Sequence, residues 1–163
     1  MATGQTLCVF TPQANQPPAT NYATPDTRNS IFVLDFDPST DESAIFEGVL
    51  PRNYAGGGLT VTLKWAATSA TSGTCRWAVQ FEKGDTDIDS DSFATANTAG
   101  GTASGTSGIE TSTLITFTDG AGIDSLAVGD RFRMKVFRDA DGTSGTDDMT
   151  GDAELLTVEI KET

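Results

Sequence analysis

Two stretches of this chain alternate apolar and polar side chains almost without a fault, and that period of two limits what the chain can fold into. From Leu59 to Trp65, the side chains of Leu59, Val61, Leu63 and Trp65 share one face, and Thr60, Thr62 and Lys64 share the other. From Cys75 to Glu82, Cys75, Trp77, Val79 and Phe81 alternate with Arg76, Ala78, Gln80 and Glu82. Successive side chains of a strand point to opposite faces, so this is the pattern of half-buried β-strands. The two are read as an antiparallel pair joined by a loop of about nine residues, with Trp65 and Trp77 anchoring the core.

Further strand candidates are Ser30–Phe36, Ala44–Leu50, Thr113–Thr118, Arg131–Asp139 and Glu154–Lys161. In the fourth, Phe132, Met134 and Val136 face in while Arg131, Arg133 and Lys135 face out; in the last, Leu156, Val158 and Ile160 share a face. Turn chemistry rich in Asp, Gly and Pro separates them, as at Asp37–Ser43, Asp119–Gly122 and Leu126–Asp130. No segment sustains a 3.6-residue period over three turns. The expectation is an all-β protein, an antiparallel β-sandwich of jelly-roll-like form with about eight strands.

Residues 1–30 are set apart from this pattern. Pro12, Pro17, Pro18 and Pro25 lack the backbone donor that a helix or a central strand needs. A short extended piece at Leu7–Thr11 can pair at an edge, and the remainder is expected to be an extended N-terminal arm, either frayed or laid on a neighbouring subunit. Residues 31–163 then form a single sandwich domain. Within it, residues 94–113 are a Gly/Ser/Thr/Ala tract, long for an ordinary loop and assigned no element.

The formal charge is −13, and it is uneven: residues 1–84 carry five basic against seven acidic side chains, and residues 85–163 carry five against sixteen. A surface of that sign repels phosphate, so neither nucleic acid nor an anionic membrane is an expected partner. The chain has no histidine, which removes His-based triads and the commonest zinc ligand. Paired carboxylates remain conceivable for glycoside hydrolysis, but they need a cleft that a thin sandwich rarely provides. The chain is therefore expected not to be an enzyme and to carry no cofactor. Cys8 and Cys75 can form at most one bridge, and Cys75, inside an alternating run, reads as a small buried hydrophobe. The start, MATGQTLCVF, lacks the pattern of a secretory signal, so synthesis in a cytoplasm without export by that route is expected.

One motif suggests a metal. Asp85, Asp87, Asp89 and Asp91 recur at a spacing of two, as at the start of a calcium-binding EF-hand loop. With Asp85 in first position, Ser90 stands where the loop needs Gly and Ala96 where it needs Glu; starting at Asp87 fails likewise. Asp85, Asp87 and Asp89 are thus candidate Ca²⁺ ligands set against a solvated acidic edge that discourages strand pairing. A second acidic segment, Arg138–Asp148, reads as a Gly-rich turn in which an exposed Arg138 pairs with Asp152.

Two longer passages, GVLPRNYAGGGLTVTLKWAA with CRWAVQFE (48–67 and 75–82), and LAVGDRFRMKVFRDADGTSGTDDMTGDAELLTVEI (126–160), together resemble small β-sandwich virion proteins of tailed bacteriophages. The resemblance covers about half of the chain and omits the arm and the Gly/Ser/Thr tract. It implies a structural protein of a phage particle, of the cement or decoration type, bound as a homotrimer to the major capsid protein on the capsid surface. A tail or fibre component with a glycan- or receptor-binding sandwich is the alternative. Contact candidates are Pro17, Pro18 and Tyr22 on the arm, and Arg52, Asn53 and Tyr54 at the turn before the Leu59 strand, where Tyr54 can equally cap the core.

Overall fold

The computed structural model describes residues 4–85 and 87–163. Ten strands form two antiparallel sheets: β1 (Thr6–Phe10), β2 (Thr24–Arg28), β3 (Ile31–Phe36), β4 (Ser43–Val49), β5 (Leu59–Ala67), β6 (Thr74–Lys83), β7 (Asn97–Thr102), β8 (Thr111–Phe117), β9 (Arg131–Arg138) and β10 (Ala153–Glu162). The first sheet runs β2-β3-β10-β5-β8, with β1 also paired to β10, and the second runs β4-β9-β6-β7. The last eight strands nest as pairs: β3 with β10, β4 with β9, β5 with β8, and β6 with β7. A long hairpin folded over itself into two facing sheets gives this order.

The strands β5 and β6, read as a pair, lie in different sheets and face each other across the core. Trp65 and Trp77 meet there with ring centroids 5.9 Å apart, and Phe36 packs edge-on against Trp77 at 5.0 Å. Toward the other end Phe81 contacts Phe117 and Phe132, and Phe10 stacks on Phe46. Both tryptophans, Cys75 and Phe81 are fully buried, and the two cysteines are free thiols. Burial raises the thiol pKa of both. In β10 a bulge between Leu155 and Thr157 shifts the phase, so Leu155 rather than Leu156 joins Val158 and Ile160 in the core.

Two strands lie where none was expected. In the arm, β2 pairs with β3 from Thr24 to Arg28, and Pro25 is tolerated because β2 ends its sheet. In the Gly/Ser/Thr tract, β7 pairs with β6. Its Gly101 is needed for packing: an added Cβ would collide with the Thr113 hydroxyl and come within 2.8 Å of the Trp65 ring. The strand looks like low-complexity sequence because the large residue that fills its space belongs to β5.

The expected arm is a strap on its own chain. β1 adds to β10, and its Phe10 packs in the core. The chain then crosses to the second sheet, where Gln16 N–H donates to Ile45 O (2.7 Å), Asn15 Oδ1 accepts from Ile45 N–H (2.9 Å), and Ala23 N–H donates to Ser43 O (3.0 Å). Those bonds cover the outer edge of β4. The chain returns to the first sheet as β2, whose edge is blocked twice: Pro25 has no donor, and Thr27 N–H donates to the Asp26 carboxylate (2.7 Å).

Candidate interaction surface

The turn 51–58 is built inward. Tyr54 is buried, and its hydroxyl donates to Gly57 O. Burial, with the carboxylates of Asp119 and Glu162 nearby, pushes that hydroxyl up to about 12. Glu162, at the end of β10, accepts from Ala55 N–H (3.1 Å) and Gly57 N–H (3.3 Å), tying the turn to the last strand. Tyr54 therefore caps the core instead of offering its ring to a partner. Asn53 is half-buried; Arg52 is exposed, with its guanidinium beside Gly129.

The strap places its candidates differently. Tyr22 and Pro17 are exposed and Pro18 is half-buried. Pro12, Pro17, Pro25 and Phe32 line a shallow apolar groove floored by Val33 and Leu34. Phe32, from β3, is half exposed although it lies on the same side of its strand as the buried Leu34 and Phe36. Its neighbour Ile31 is exposed as well. Neither stood out in the sequence, because both sit in an apolar run that reads as core.

The two acidic segments also separate. Asp85, Asp87 and Asp89 do not continue a strand, because β6 ends at Lys83 and residues 87–90 turn. Asp85 N–H donates to the Asp91 carboxylate (3.0 Å) and Asp89 N–H to that of Asp87 (3.1 Å), so the loop closes on its own side chains. Asp85 and Asp87 line a small polar hollow together with Asp91 and Asp124. Among the described residues, the acidic trio whose oxygens lie within 4.8 Å of one another is Asp41, Asp139 and Asp141. Its members serve the backbone: Asp41 accepts from Ala140 N–H (2.8 Å) and Asp139 from Ser144 N–H (2.7 Å). Burial disfavours the Asp139 charge, but hydrogen bonds led by those from Ser144 outweigh it and hold the carboxyl below its ordinary value.

Behind that trio lies a buried ion pair. Arg138 is fully buried and does not form the expected exposed pair with Asp152. It grips Asp147 with two bonds of 2.9 and 2.7 Å, and donates to the carbonyls of Phe36, Met149 and Gly151. Burial opposes the guanidinium charge, but Asp147 prevails and raises its pKa. Strand parity places Arg138 inward with Phe132, Met134 and Val136, so the signal was present in the sequence and the charge obscured it.

A third acidic group lies on the outer face of the first sheet. Asp35 on β3 stands directly opposite Glu154 on β10, with Asp26 of β2 and Asp152 close by. Arg28 bonds Glu154 at 2.8 Å, and Asp35 Oδ1 is buried without a hydrogen-bond partner. Burial first, then the charges of Glu154, Asp26 and Asp152, push the Asp35 carboxyl up to about 7.

The charge pattern ties these places together. No residue from 1 to 25 is charged, and from 92 to 118 the single charged residue is Glu110. The first stretch is the strap on the β3–β4 flank; the second holds β7 and β8, which end the two sheets on the opposite flank. An uncharged, partly apolar strap, bordered by Asp26 and Glu47, is suited to contact with another protein, because charged residues are depleted at the centre of interfaces. No family model matches the chain, and no curated protein matches it.

Proposed function

We propose that this protein is a structural component of a phage virion, a capsid cement or decoration protein that binds the major capsid protein on the outside of the head and stabilises it as a homotrimer. The observation that carries the reading is the neutral strap surface. It presents Pro17, Tyr22 and Phe32 to solvent on a two-sheet body in a chain of net charge −13. A clamp between neighbouring shell proteins needs a stiff body and an uncharged contact surface. The sealed sandwich supplies the first and the strap the second. The acidic remainder keeps particles apart in solution. The sequence resemblance to phage sandwich proteins supports the same reading, and no catalytic role is part of it.

The exposed ring of Tyr22, and separately the proline groove at Phe32, favour the second reading, a tail or fibre component that binds a glycan or receptor. Particles prepared with and without the protein separate the two. A cement protein raises the temperature and salt at which heads burst and labels the head in immunogold images. Heads of equal resistance without it, with label on the tail, would overturn the cement reading in favour of the second.

A further inference from the structure

The strand β2 is held at its two ends and weakly in between. It ends its sheet, pairs with β3, and is exposed from Thr24 to Thr27. Just before it, Ala23 is fully buried and donates its N–H to Ser43 O (3.0 Å). At its far end, Arg28 donates to Glu154 (2.8 Å) and to the carbonyls of Ala67 and Thr68 (3.2 and 3.3 Å). An added Cβ on Gly108 would meet the Arg28 guanidinium at 2.6 Å, so a loop also lies close over that end. Between these anchors Thr24, Pro25 and Asp26 depend on their pairing with Asp35, Leu34 and Val33.

The outer face of that pairing is crowded with acid. Asp35 stands directly opposite Glu154 of β10, and like charges placed so destabilise a sheet. Asp26 of β2 and Asp152, just before β10, add to the same field. The cation on this face is Arg28, and its ion pair is with Glu154. Lys64 of β5, farther across the sheet, pairs with Glu110 (3.2 Å), and the Asp37 carboxylate accepts from Ser39 and Thr40 in its own turn. Asp35 Oδ1 is buried without a hydrogen-bond partner, so no donor offsets a charge there. Asp35 and Glu154 lie on strands with a neighbour on each side, whereas Asp26 lies on the end strand. Repulsion among these groups is relieved most easily where the chain can move, which is at Asp26.

We propose that a proton on Asp35 latches the strap: with it in place Thr24–Asp26 lie against β3, and its loss releases them as a loop between Ala23 and Arg28. Pro25 forms one wall of the apolar groove with Pro12, Pro17 and Phe32, so the groove is whole in acid and loses that wall as pH rises. The sign follows from which form binds the proton more tightly. Against β3 the Asp35 carboxyl sits at about 7; with Asp26 withdrawn and water admitted it falls toward the ordinary 3.8. The closed form therefore keeps the proton, and the open fraction grows with pH between those values, by at most about tenfold per pH unit, and levels off above 7. The latch is a property of the single chain and does not depend on which partner the strap meets.

The test is amide hydrogen exchange followed by NMR on the full chain at about pH 5.5 and 7.5, corrected for the intrinsic effect of pH on exchange. Global unfolding also releases the Asp35 proton, so amides of 24–28 are compared with those of Val61–Leu63 in the central β5. In the wild type the opening constant at 24–28 is expected to exceed that of Val61–Leu63 at both pH values and to rise roughly tenfold or more between them. Asp35→Asn, neutral throughout, is expected to open equally at both. Asp26→Asn, on the exposed edge, is expected to show a smaller rise than the wild type, and it carries the test alone if fluorescence of Trp65 and Trp77 shows Asp35→Asn unfolded. An opening constant that does not rise in the wild type, a rise that either folded variant leaves at wild-type size, or opening at 24–28 no greater than at Val61–Leu63 overturns the proposal.

Discussion

The two flanks of the sandwich solve one problem in opposite ways. At the β3–β4 flank the chain spends its first residues on a strap that covers its own edge, with Asn15 and Gln16 bonded to Ile45 and Ala23 bonded to Ser43. At the β7–β8 flank the two end strands lie against each other, joined where Asn97 Nδ2 donates to Thr116 O (2.7 Å). One edge is covered by a strap from elsewhere in the chain, and the other by the end strand of the facing sheet.

The largest effect is expected in the body, away from both flanks. Asp147→Ala leaves the Arg138 charge buried and unpaired, and loss of one partner of a buried ion pair costs about 3–5 kcal/mol. Denaturant unfolding should show that loss. A smaller effect is expected inside the β7–β8 flank. Gly101→Val forces a side chain against Trp65 and Thr113, an overpacking cost of about 1–3 kcal/mol that should appear in unfolding followed by tryptophan fluorescence. On the strap, Asn15→Ala removes the acceptor of Ile45 N–H and should cost about 1 kcal/mol. Hydrogen exchange should then quicken at Ala44–Phe46 and not at β7.

The smallest effect is a slope with pH. The Asp35 carboxyl sits at about 7 in the folded chain against 3.8 ordinarily. Between those values the folded chain holds a proton that the unfolded chain has released, so the contribution of Asp35 to stability is greatest below pH 4, declines as pH rises, and levels off above 7. Asp35→Asn should flatten that slope in unfolding curves measured across the window. A slope unchanged by the substitution would assign it to other carboxyls.

The fold was largely legible because its central strands obey one period. The alternations at Leu59–Trp65, Cys75–Phe81 and Phe132–Val136 each became a core face. What the pattern could not give was partnership: β5 and β6 carry the same signal whether they pair or face each other across a core. The two missed strands were hidden by residues chosen for their surroundings. Pro25 sits in β2 because that edge must not pair, and Gly101 sits in β7 because Trp65 needs the space. Exposure at the contact candidates was half legible. Pro17 and Tyr22 are where an exposed surface was expected, whereas Tyr54 turned inward because Glu162, remote in sequence, organises its turn. In the acidic segment after β6, spacing alone did not show that the Asp87 and Asp91 carboxylates accept from N–H groups of their own loop.

Hydrogen–deuterium exchange on the protein free and mixed with phage heads tests the central claim most directly. If the strap is the contact surface, amides of 13–24 exchange more slowly in the presence of heads, while those of 87–91 and 139–148 do not change. No protection on the strap, or protection confined to the acidic loops, would contradict it.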